Sequence, residues 1–249
     1  MFDSHAHLED DKYNDDRDKV IKECQKKMTG VVTVCSQPSH LDRVLDMTKK
    51  YKGFVFAAAG IHPEFVEHYT NDQKEQYFER VKEHAKEIVA IGETGLDYHW
   101  VTDPNGRKKQ KQWFLDSIEL AQDLKKPLVI HSRKAHEATL EILLKQGAEK
   151  VQWHMFSSKP LFQTILDQGW MISVGAGILH SKPSRIVRDI PLEQLMTETD
   201  APYVAPTPGE RNTPLTVELV IKKIAEIRKE DSATIDRVTT ANAKRHFDL

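Results

Sequence analysis

The chain has 249 residues, 39% of them hydrophobic and 30% charged, with a formal net charge of −2 and two cysteines. That is ample for one large core over residues 1–249, whereas two cysteines make no disulfide framework and a slightly acidic chain does not hold nucleic acid by bulk charge. No apolar stretch approaches the roughly 18 residues of a membrane span, and MFDSHAHLEDDKYNDD lacks a secretory pattern, so a cytoplasmic, membrane-free setting is expected.

Along the chain one unit recurs: a short apolar run, a polar tip, then an amphipathic segment. The first run, Met1-Phe2-Asp3, leads to His5 and His7, and residues 14–28 read as a helix with Val20, Ile21, Cys24 and Met28 on one face. VVTVC at 31–35 is a β-branched strand, followed by a helix over about 39–51. FVFAAAGIHP at 54–63 precedes a helix near 72–86. IVAIGETGLD at 88–97 precedes a long helix over 107–125 with Trp113, Leu115, Ile118, Ala121 and Leu124 inward. PLVIHSR at 127–133 is followed by a helix at 136–145, and VQWHMF at 151–156 by one at 159–168. WMISVGAG at 170–177 leads to a short helix near 183–189. LMTETDAP at 195–202 is the eighth run, and helices at 213–229 and 234–246 close the chain.

Eight apolar strands alternating with helices predict an α/β (β/α)8 TIM-type barrel. An open doubly wound sheet is the competitor, but it gathers functional residues at one switch point and not at the end of nearly every strand. There is no internal repeat or inter-domain linker. The proline-rich segment 202–214 reads as a structured loop on the active face, and a monomer is the default.

The chemistry sits at the strand ends. In extended chain, residues i and i+2 point the same way, so His5 and His7 face one point. Alone, that pair reads equally well as two surface histidines. It is joined by His131 after PLVI and His154 after VQW, each where a barrel strand reaches its C-terminal rim. Imidazole suits borderline divalent metals. Glu93 in AIGETG would be costly to bury unless paired or metal-bound, and its two oxygens suit a bridge. Asp200 in TETDAP completes a set able to bracket two ions, which together can activate a water and hold a leaving oxygen.

The same rim carries His62, Asp97, His99, Arg133, Arg211 and Asn212. Arg133 and Arg211 suit phosphate oxygens, though an ordinary loop salt bridge fits them too. Trp100 could stack on a base, and Phe156 either stacks or packs in the core. Gly92 and Gly95 would let ligand or backbone approach Glu93 closely. The run Arg107–Lys111 meets a polyanion or simply opens a helix. No phosphate-binding loop, CxxC pattern or nucleophile elbow is present.

DSHAH at 3–7, GIHP at 60–63, GETGLD at 92–97, PLVIHSR at 127–133, HMFSS at 154–158, ETDAPY at 198–203, RNTP at 211–214 and NAKRHF at 242–247 occur in this order. Together they resemble the TatD family of metal-dependent deoxyribonucleases, within the amidohydrolase-like superfamily. The resemblance implies His5, His7 and Asp200 on one metal, His131 and His154 on another, and Glu93 as the bridge. It implies His62 and Arg133 at the substrate phosphate, and two divalent ions per chain (Mg²⁺, Mn²⁺ or Zn²⁺). It further implies hydrolysis of DNA from the 3′ end, with RNA as a further substrate and a role in DNA repair or degradation. Asp200 is the candidate to guide the water's proton. The chain departs from the family's HCFSG at Met155 and Ser158, and has His246 where leucine is usual. The alternative is a small-molecule amide, lactone or phosphoester hydrolase of the same superfamily, which often bridges its metals with a carboxylated lysine instead of a glutamate. A barrel that had lost activity would be expected to lack a ligand, and none is missing.

Overall fold

A computed structural model describes residues 1–181 and 185–249. Eight parallel strands form one sheet in sequence order. They are β1 (Phe2–Ala6), β2 (Gly30–Cys35), β3 (Val55–Ala59), β4 (Ile88–Asp97), β5 (Leu128–Arg133), β6 (Val151–Trp153), β7 (Met171–Val174) and β8 (Leu195–Thr197). Between them run α1 (Arg17–Gln25), α2 (Leu41–Lys50), α3 (Asn71–Glu83), α4 (Pro104–Leu124), α5 (His136–Lys145), α6 (Phe162–Asp167) and α7 (Arg185–Asp189), with α8 (Val217–Arg228) and α9 (Ser232–His246) after β8. The alternation is that of a (β/α)8 barrel, as the order of apolar runs predicts.

The ladders run in order from β1 to β8, and side-chain and backbone hydrogen bonds close the remaining seam. Asp3 accepts from the Thr199 N–H at 3.0 Å and from its hydroxyl at 2.6 Å. The His5 carbonyl accepts the N–H of Asp200 at 3.0 Å, and His7 N–H donates to the Ala201 carbonyl at 2.7 Å. Burial holds the Asp3 carboxyl well above its usual range, although the Thr199 hydroxyl pulls the other way. The seam therefore fixes the segment carrying His5 and His7 against the one carrying Asp200.

Alternate strand residues serve two layers. Val31, Ala57, Ile91, Leu128, Ile130 and Trp153 pack outward under the helices. Val32, Val34, Ala58, Ala90, Val129 and Met196 form a second cluster on the other sheet face, with Phe247 after α9. Helix α4 starts where Asp103 accepts the Gly106 N–H at 2.8 Å and Pro104 occupies the first turn. Its buried face centres on Trp113, Phe114, Ser117, Ile118 and Ala121; of the expected stripe, Leu115 and Leu124 lie at the half-buried margin.

Four strands are clearly shorter than the expected runs: β3 stops at Ala59, β6 at Trp153, β7 at Val174 and β8 at Thr197. The short helix expected near 183–189 starts at Arg185 among the described residues, and residues 183–184 lie outside them. No described helix is long and apolar enough to cross a membrane.

Candidate metal centre

Besides a set formed by His5, His154 and Glu198, the strand ends bring two groups of ligand-type side chains together: His5, His7 and Asp200, and His62, Glu93 and His131. Glu93 joins them. Its Oε2 lies 3.3 Å from His5 Nε2 and 3.5 Å from His7 Nε2. Its Oε1 lies 3.0 Å from His131 Nδ1, 3.8 Å from His62 Nε2 and 3.9 Å from His154 Nε2. One buried carboxylate thus presents an oxygen to each group. Burial alone would raise its pKa, but His5, His62 and His131 hold it well below the usual carboxylate range.

The first group follows from local chain geometry. His5 and His7 alternate on extended backbone, which sets their Nε2 atoms 3.2 Å apart. Nδ1 of His7 lies 2.9 Å from the Val34 carbonyl, which can only accept, so Nδ1 carries the proton and Nε2 faces the site. Glu9 Oε1, 3.1 Å away, supports the same ring. Burial works against a charged His7, but Glu9 and Asp200 lift its pKa well above the ordinary value. Asp200 places Oδ1 3.4 Å from His7 Nε2 and 3.7 Å from His5 Nε2. It does so from φ +60°, a conformation that aspartate tolerates better than most residues.

In the second group, His131 is held from its far side by Asp97, whose Oδ2 lies 2.9 Å from Nε2. Burial opposes the charge on Asp97, but His131 and two backbone donors bring its pKa down to about 2. His62, expected at the substrate phosphate, lines the cavity beside the ligand-type residues: its Nε2 is 3.1 Å from His131 Nδ1. Burial and His131 push it down to about 3. His154 lies between the groups, stacked on the His5 ring at 3.8 Å. Its Nδ1 is 2.9 Å from Glu198 Oε1, an ion-pair distance off the line of a good hydrogen bond. Burial opposes protonation there, yet Glu198 raises the pKa to about 10.

These residues fit divalent cations. Ligand atoms about 2.1 Å from a tetrahedral metal stand ~3.4 Å from one another. Around His5, His7, Glu93 and Asp200 the spacings run from 3.2 to 3.7 Å. Imidazole lone pairs and carboxylate oxygens converge there, and among the described residues no lysine or arginine pairs with Glu93 or Asp200. A cation facing the Nε2 atoms of His5 and His7 would satisfy these lone pairs and carboxylate oxygens together.

The clusters floor a cavity of about 460 Å³, with Arg133, Trp100 and Tyr203 on its walls. Arg211 does not line it. Its guanidinium grips both Asp16 oxygens at 2.7 and 2.6 Å and lies over the Tyr13 ring, the salt-bridge alternative left open by the sequence. Asn212 is also structural, donating to the carbonyls of Thr199 and Tyr203 and so pinning the loop after β8. Phe156 packs against Trp153 and Phe162 in the core. Arg107 caps the Tyr98 ring and bonds the Val101 carbonyl, and Lys109 lies over Trp113, so both are tied to local structure.

Gly92 and Gly95 do allow close approach, but by β5. A Cβ on Gly95 would lie 2.0 Å from the His131 carbonyl, and one on Gly92 2.5 Å from that of Val129. In the turn after β6, Met155 takes the positive φ, 44°, while its N–H donates to Glu198 at 2.9 Å.

Sequence reasoning missed Glu9 and Glu198. Each lies two residues from a ligand-type residue, in His7-x-Glu9 and Glu198-x-Asp200. The same alternation that paired His5 with His7 would have flagged them.

A (β/α)8 barrel with histidines and carboxylates gathered at its strand ends defines a metal-dependent hydrolase. Residues 2–248 match the family described as TatD related DNase, and the chain belongs to that family. It is 35% identical over 256 residues to the metal-dependent hydrolase YabD of Bacillus subtilis, covering 99% of this chain and 98% of that protein. It is 28% identical over 265 residues to the 3′-5′ ssDNA/RNA exonuclease TatD of Erwinia tasmaniensis, across the full length of both. Its fold matches the crystal structure of the TatD homologue YJJV from Escherichia coli, with a TM-score of 0.92, 24% identity, and 100% and 98% of the two chains covered.

Proposed function

We propose that this chain hydrolyses phosphodiester bonds of single-stranded DNA from the 3′ end, with RNA as a second substrate. The observation that carries this reading is Glu93, with one oxygen turned to each ligand group at the floor of an open cavity. The family membership and the exonuclease named among the relatives support the same substrate class.

His5, His7 and Asp200 would hold one divalent ion, and His131 with His154 or His62 the other, with Glu93 between them. Ions so held lower the pKa of water and offset charge on a phosphate. The mixed donor set suits Mn²⁺, Mg²⁺ or Zn²⁺. The Asp200 carboxylate takes the proton of the attacking water; its Oδ1 lies 3.4 Å from His7 Nε2 and 3.9 Å from His154 Nε2. Arg133 supplies paired donors to the non-bridging phosphate oxygens. The water oxygen bonds to phosphorus, the bond to the 3′ oxygen breaks, and the leaving 3′ oxygen takes up the proton held by Asp200, with no covalent enzyme intermediate.

The test is cleavage of 3′- and 5′-labelled single-stranded DNA and RNA by metal-loaded protein, with Glu93→Ala alongside. Stepwise loss from the 3′ end, abolished in the variant, supports the reading. No cleavage of either polymer by folded, metal-loaded protein overturns it in favour of a small ester or amide substrate.

A further inference from the structure

Two exposed aromatic rings stand on the cavity wall, and each is anchored to a different ligand group. Among the described residues the exposed large hydrophobics are Trp100, Leu144, Tyr203, Leu219 and Leu249, and both aromatic ones line this cavity. Trp100 is 57% exposed and Tyr203 42%. An indole left in water at a site mouth costs hydration free energy unless a ligand covers it.

Their anchoring is specific. Asp97 Oδ1 accepts the N–H of Trp100 at 2.9 Å, while its Oδ2 holds His131 at 2.9 Å. Trp100 is therefore one residue removed from the second group. Tyr203 sets its ring edge-on to His7, with centroids 5.8 Å apart, and its hydroxyl donates to Asp10 at 2.7 Å. It belongs to the first group. Each ring also carries a cation. The Arg133 guanidinium lies 5.5 Å from the Trp100 centroid, and Lys12 Nζ lies 4.1 Å from that of Tyr203.

We infer that Trp100 and Tyr203 are stacking platforms for the bases on the two sides of the scissile phosphate. This rests on the phosphodiesterase reading of the same site. An aromatic face paired with a cation matches a nucleotide, whose base stacks while its phosphate meets the charge. A base inside a duplex is already stacked and paired, so two such platforms select unpaired strand ends. Stacking reads no base edges, so the preference is for single strands of any sequence.

Two measurements test this. Trp113, Trp153 and Trp170 are buried, so Trp100 alone reports on the cavity. Titrating metal-free protein with a short oligothymidylate quenches tryptophan emission, and Trp100→Phe removes most of the change. Quenching that survives Trp100→Phe, or no quenching at all, overturns the inference. The second measurement compares kcat/KM on an oligothymidylate with that on a strand of equal length lacking bases. Trp100→Ala and Tyr203→Ala each lower that ratio about 10-fold, mainly through KM, and Trp100→Phe restores most of it. Equal ratios in wild type and variants overturn the stacking role while leaving the nuclease reading intact. A wild type that cleaves nothing overturns the nuclease reading, and the fluorescence titration still decides the stacking.

Discussion

Glu198 Oε1 lies 2.9 Å from Nδ1 of His154 and accepts the Met155 N–H at 2.9 Å, so one carboxylate sets both the ring and the turn that carries it. Such partners outside the ligand set orient a ligand imidazole and raise its basicity. Glu198→Gln is expected to weaken divalent-ion binding by about 10–100-fold, read by competition with a chromophoric chelator. Unchanged affinity would show that His154 needs no such partner.

His246 gives a pH prediction away from the metal groups. Burial, with Lys150 adding to it, pushes its pKa to about 3 from an ordinary 6.5. The unfolded chain takes up this proton near pH 6.5, while the native chain refuses it until about pH 3. The contribution to stability is therefore complete above 6.5 and is lost as pH falls from 6.5 toward 3. His246→Leu removes that slope. It also relieves the buried, unpartnered Nε2, for a gain of about 1 kcal/mol near neutrality. Melting curves at about pH 7 and about pH 4 check this; parallel losses in both proteins contradict it.

Arg133 and Arg211 should separate cleanly. Arg133 lines the cavity, so Arg133→Ala lowers kcat/KM about 100-fold with little change in melting temperature. Arg211 is spent on Asp16 at the surface, so Arg211→Ala costs about 1 kcal/mol or less and changes kcat/KM less than about threefold. A large kinetic loss in Arg211→Ala would place that residue on the substrate after all.

Gly95 tests the packing that positions His131. At φ +139° a Cβ there meets the His131 carbonyl at 2.0 Å. Gly95→Ala is expected to cost about 3 kcal/mol or more, visible as a large fall in melting temperature or in soluble yield. A variant as stable as the parent would mean that β4 and β5 can part without penalty.

Much of this was legible in the sequence, for stateable reasons. Parallel barrel strands are buried on both faces and read as apolar runs, so their order and the polar residues at their ends stand out. That is how His5, His7, Glu93, His131, His154 and Asp200 stand out as candidate ligands. The Asp3–Thr199 seam was not legible, because it joins residues 196 positions apart. The partners of arginines were hidden for the same reason: a phosphate and Asp16 ask the same thing of Arg211. The contact of His62 with His131 was equally illegible, because it joins the turn after β3 to the end of β5.

The most direct test of the central claim is to strip the protein with a chelator and return Mn²⁺ in steps, following bound metal and single-strand cleavage together. Two ions should bind per chain, with activity appearing as the second site fills, and Glu93→Gln should weaken both. Full activity with one ion, or equal activity with none, would contradict a centre built around the two oxygens of Glu93.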